Sequence, residues 1–151
     1  MSSFSAVSTG RRSRWFQEKG AKATVAISLL AGGGDLVTGL CLLFFPEQAL
    51  YWMGIAPCRD LPWVRLVGVF VAAVGASYFY GLGCWRIAHR AGALRIVWEL
   101  TALLRTAVCC FVSVEIATGA MTRAWSSVSL TDGFWALVQF VLLRRSFPND
   151  A

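Results

Sequence analysis

Histidine is almost missing from this 151-residue sequence, with His89 the one imidazole. Haem held by two histidines of the same chain is therefore excluded, and so is a multi-histidine metal centre. Cysteine occurs five times without the spacing of a zinc or redox motif. Cys41 and the adjacent Cys109 and Cys110 fall inside apolar runs, while Cys84 and Cys58 lie near span ends. These thiols read as small packing residues; Cys58, on the outer side, leaves an intermolecular bridge open. No phosphate-cradling glycine loop or nucleophilic serine motif is visible, and Gly81-x-Gly83 marks a span terminus. Charge is scarce as well, at 15% of residues against about 25% in soluble domains. No metal, cofactor or catalytic residue is assigned, and an enzyme is the less favoured class.

What is abundant is apolar. The chain is 57% hydrophobic and 13% aromatic, with a mean hydropathy of +0.61. Crossing roughly 30 Å of hydrocarbon takes about 20 apolar residues in a helix, because lipid offers the backbone no hydrogen bonds. Four segments meet that requirement: about 24–45, 63–82, 94–116 and 125–143. The expected fold is an all-α bundle of four transmembrane helices, with the membrane domain spanning 23–145. A basic, serine-rich tail (1–22) precedes it and a short tail (146–151) follows. Between the first two spans, Glu47 to Met53 reads as a short amphipathic turn in the interface.

Basic residues predict the orientation. Arg11, Arg12, Arg14, Lys19 and Lys22 precede the first span; Arg86, Arg90 and Arg95 fall in or beside the second loop; Arg144 and Arg145 close the fourth span. The other two loops hold only Arg59 and Arg123. Both termini are thus expected on the cytoplasmic side, or the matrix side in an organelle. Trp52, Trp63 and Trp125 near one boundary and Trp85 and Trp98 near the other are expected as interfacial anchors. The net charge of +6 follows from this flanking pattern, so lipid headgroups rather than nucleic acid are its expected partners. The tail composition also fits an organellar transit peptide. A bacterial inner membrane is the first localisation and a mitochondrial inner membrane the alternative.

Ionisable groups at membrane depth cost several kcal/mol unless paired or hydrated, so each is a candidate site. Asp35 and Arg105 sit near the middle of the first and third spans and, at about 1.5 Å per residue, reach similar depth. They are expected to pair. Arg65 and Glu115 reach the outer ends of their spans and are positioned to pair there. Glu99 is within reach of Lys22, Arg95 or Arg144, and Asp132 of Arg105 or Arg65. Such pairs either fix helix register or line a polar path or ligand site. Small residues at four-residue steps mark expected packing faces: Ala31 and Gly39 on either side of Asp35, and Gly68, Ala72 and Ala76 with Gly75 beside them. The Gly32-Gly33-Gly34 run permits a kink or a close neighbour.

The layout resembles the small DoxX-like four-helix membrane proteins. The similar features are Leu43-Phe-Phe-Pro-Glu47, the run from Trp63 to Phe70, a third span with an internal arginine, and Asp132-Gly133 in the fourth. The resemblance implies a four-helix bundle, in some relatives associated with quinone-linked or redox membrane complexes, and it carries over no site residue. The leading expectation is a non-catalytic accessory or scaffold subunit, in contact with lipid and with other subunits or copies of itself. The alternatives are a small transporter or lipophilic-ligand (quinone) binder using a midplane Asp–Arg site, and a quinone-linked enzyme subunit.

Overall fold

The computed structural model describes the backbone over residues 6–56, 60–87 and 91–146, and side chains over 22–56, 60–87 and 92–144. Cys58, Arg59, His89, Arg90 and the chain ends lie outside the described residues, as do the side chains of Arg11, Arg12, Arg14, Lys19 and Arg145. The described chain is helical: α1 (Ala6–Phe44), α2 (Pro46–Trp52), α3 (Leu61–Ile87), α4 (Ala91–Ala117), one 3₁₀ turn (Arg123–Trp125) and α5 (Ser126–Ser146). Stretches within four of these are long and apolar enough to cross a membrane: Lys22–Phe44, Leu61–Ile87, Gly92–Ala117 and Arg123–Arg144.

Helix α1 begins well before the expected span, inside the basic tail. The intervening segment holds no proline, so a helix nucleated in the span meets no barrier to extension. It ends because Pro46 has no backbone N–H to continue the ladder. The same proline, with its fixed φ, suits the first position of α2. Pro46, Ala49 and Leu50 face inward while Tyr51 and Trp52 are exposed, so α2 is amphipathic. Helix α4 stops at Gly119, whose φ of +79° turns the chain as Met121 N–H donates to the Glu115 carbonyl at 3.0 Å.

The four long helices form a ring in the order α1, α3, α4, α5. Across the diagonals, α1 with α4 and α3 with α5, no Cα atoms come within 8 Å among the described residues. The closest pair is α1 and α3, and glycine is the reason. A Cβ at Gly39 would strike the Ala72 backbone, one at Gly75 the Leu36 backbone, and one at Gly68 would lie 2.7 Å from Leu43 N. At Gly32 it would lie 2.6 Å from the Tyr78 Cβ. Without side chains at these points the two backbones touch, giving the van der Waals contact that drives helix association in lipid. Gly33 and Gly34 have open space instead, and α1 runs through them unbroken.

Ala76 requires a correction: it is exposed rather than packed. Seven residues return a helix to within about 20° of the same face, but eight overshoot by about 80°. The contact therefore follows Gly68 and Gly75 and leaves Ala76 to one side. Ala31 is buried, and it joins Tyr78, Leu82, Leu94 and Trp98 in the apolar core. Only 28, 28, 22 and 17% of the most apolar window of the four spans is buried. Leu30, Val37, Phe70, Leu103, Leu130 and Leu137 are among the many large apolar residues facing outward. That surface suits lipid or other helices, not water.

Candidate functional site at the bundle centre

Helix α4 supplies the centre. Leu94, Trp98, Thr101, Ala102, Arg105 and Val112 are all buried, at the three- and four-residue steps of one helical face. Arg105 is the charge among them, its side chain 4% exposed. One terminal nitrogen of its guanidinium donates to Asp132 Oδ1 on α5 at 2.7 Å, and the other donates to Asp35 Oδ2 on α1. A planar fork with donors on both arms serves two carboxylates at once. Arg105 therefore ties α4 to its diagonal neighbour α1 and to α5. Asp35 and Asp132 keep 18% and 19% of their side-chain surface accessible. With all three groups ionised the cluster carries one negative charge in excess.

Further polar groups continue the cluster along the bundle. Gln139 Nε2 donates to the Tyr78 hydroxyl at 2.6 Å and to Thr101 Oγ1 at 2.9 Å, which joins α5, α3 and α4. Thr101 in turn donates to the Val97 carbonyl at 2.8 Å. Tyr78 also interacts with the Arg105 guanidinium. Trp98 Nε1 donates to Ser28 Oγ at 2.9 Å across the second diagonal contact. Toward the α2 end, the hydroxyls of Ser113 and Ser129 meet at 2.7 Å, and Ser129 donates to the Cys109 carbonyl at 3.2 Å. Two buried atoms in this network have no partner within the protein: Arg105 Nε and Gln139 Oε1.

The other residues singled out in the sequence fall elsewhere. Glu99 accepts from Arg95 Nε at 2.8 Å on the exposed face of α4, one turn apart. Arg65 is exposed and Glu115 half-buried, and no ion pair joins them among the described residues. Arg65 has its guanidinium free to reach the interface along its own stem. Trp52 and Trp63 are exposed, Trp125 is half-buried, and the Arg86 guanidinium lies 5.7 Å from the centre of the Trp85 ring. Trp98 is not an interfacial anchor. It is wholly buried, because its place on α4 faces the bundle axis and Ser28 gives its indole N–H an acceptor there. Among the described residues no group of three His, Cys, Asp or Glu side chains could hold a metal ion.

Sequence reasoning passed over Ser28, Tyr78, Thr101, Gln139 and Ser129. A signal was present: Ser28 and Asp35, Trp98 and Arg105, and Asp132 and Gln139 are each seven residues apart. That spacing keeps both members of each pair on one face.

Four apolar helices around a hydrogen-bonded polar axis define a small polytopic membrane protein. No family model, no curated protein and no solved structure matches the chain.

Proposed function

We propose that the protein is a non-catalytic subunit or scaffold that packs beside other helices in a larger membrane assembly. The observation that carries this reading is how the polar interior is used. Arg105, Asp35, Asp132, Trp98, Ser28, Gln139 and Tyr78 bond across helices, so these groups hold the bundle together instead of facing a substrate. The outward surface is apolar over most of each span and suits partner helices and lipid alike. The surplus carboxylate adds a preference, because a neighbour bringing a lysine or arginine to that depth would balance it. The reading further places the chain in a bacterial inner membrane with both termini in the cytoplasm. Its resemblance to DoxX-like proteins is consistent with redox or quinone-linked surroundings.

Native mass spectrometry from the source membrane in mild detergent tests the reading. The expected result is a defined hetero-assembly that dissociates when Asp132→Asn removes the surplus charge, while the chain keeps its helical circular dichroism. A lone monomer would contradict it. An intact assembly that lost solute or proton movement on Asp35→Asn would favour the transport alternative, in which the same midplane cluster lines a polar path.

A further inference from the structure

We propose that the bundle binds water in its core beside Tyr78, between the Arg105 guanidinium and the Gln139 amide. The proposal stands apart from the subunit reading and rests on the two buried atoms without a partner. Arg105 Nε–H is a donor and Gln139 Oε1 an acceptor, and neither finds a protein group. Gln139 Nε2 donates to the Tyr78 oxygen at 2.6 Å and to Thr101 Oγ1 at 2.9 Å. Arg105 stands one turn from Thr101 on the same buried face of α4, close enough to Tyr78 for the two to interact electrostatically. A donor and an acceptor beside one hydroxyl are what a water molecule, or a short file of them, satisfies together.

Energetics favour occupation. A buried polar group left unpaired costs more than immobilising a water does, and one water satisfies two such groups. Turning the Gln139 amide over does not remove the need. The reversed amide would accept from the Tyr78 and Thr101 hydroxyls and leave Nε2 unpaired where Oε1 now lies, and water accepts from an N–H as readily as it donates to an oxygen. Tyr78, Gln139 and Trp98 have no exposed surface, so the group that satisfies these atoms must be small, and water is the smallest that both donates and accepts. The two carboxylates bonded to the same guanidinium, Asp35 and Asp132, keep part of their surface accessible.

One consequence is chemical. Water both accepts and donates, so one molecule can take the Arg105 Nε–H hydrogen and give its own to Gln139 Oε1. A second is energetic: each of the three nitrogens of the Arg105 guanidinium then has a partner, which favours its burial.

Water-edited solid-state NMR on the isotope-labelled full chain in lipid bilayers tests the proposal. Arg105→Lys identifies the Arg105 Nε resonance by its disappearance. The expected result is magnetisation transfer from water to Arg105 Nε and the Gln139 side chain, with none to Trp98 Nε1, which is buried and bonded to Ser28. Gln139→Leu should then reduce the transfer to Arg105 Nε several-fold. An Arg105 Nε as silent as Trp98 in the unmodified chain would overturn the proposal. So would equal transfer to all three groups, which would mean a generally wet bundle and no specific site.

Discussion

Each buried polar side chain in this bundle has a reason to be expensive and a partner that offsets the expense. Arg105 is the extreme case: a guanidinium near mid-membrane, held by carboxylates from two other helices. Lysine could not replace it. An ammonium is a compact point charge without two divergent arms, so Arg105→Lys should lower stability by about 1–3 kcal/mol in reversible unfolding in mixed micelles. Ser28 provides a milder test. Ser28→Ala removes the acceptor that Trp98 Nε1 uses and should cost about 1 kcal/mol. Ser127→Ala, which removes only a bond to the adjoining 3₁₀ turn at an exposed position, should stay within about 0.5 kcal/mol of the parent. Equal losses for the two serines would contradict the cross-bundle role of Ser28.

At the scale of elements, the α1–α3 contact depends on missing side chains. Gly39→Val would drive a branched side chain into the Ala72 backbone, and Gly75→Val into that of Leu36. Backbone cannot yield as a side-chain tip can, so each should cost about 3 kcal/mol or more and part α1 from α3. Gly34→Ala meets nothing within 4 Å and should be neutral or slightly stabilising. Melting temperatures of the three variants check the contrast. This interface also marks how far the sequence could be read. Span positions were legible because hydropathy is a sum over some twenty residues. The shared depth of Asp35 and Arg105 followed from counting residues at a fixed rise. Rotation about the helix axis was not legible, since four-residue steps and seven-residue steps both look like one face on paper. Ala76 fell on the wrong side of that ambiguity, Trp98 was read from its depth without its rotation, and the uncharged Tyr78 and Gln139 drew no notice, although Gln139 stands seven residues from Asp132.

For the whole molecule, a polar axis inside an apolar sleeve inverts the soluble arrangement, and the apolar sleeve is the surface that meets lipid. The distribution of basic residues predicts a direction that labelling can check. If both termini face the cytoplasm, an impermeant maleimide added to intact cells should modify Cys58, and Cys58→Ser should abolish that signal. Cys84, at the opposite end of α3, should react only after permeabilisation. Labelling of Cys84 in intact cells would reverse the orientation.

One arginine and two aspartates hold the bundle together by mutual compensation. Unfolding stability in lipid nanodiscs should be compared for Arg105→Leu and for the triple variant Asp35→Asn, Arg105→Leu, Asp132→Asn. Removing the arginine alone strands two carboxylates in the interior and should cost about 3–5 kcal/mol. Neutralising all three removes the stranded charges along with their partner and should recover most of that loss. If the single variant is as stable as the parent, or the triple variant is no better than the single, the three residues do not compensate one another and the account fails.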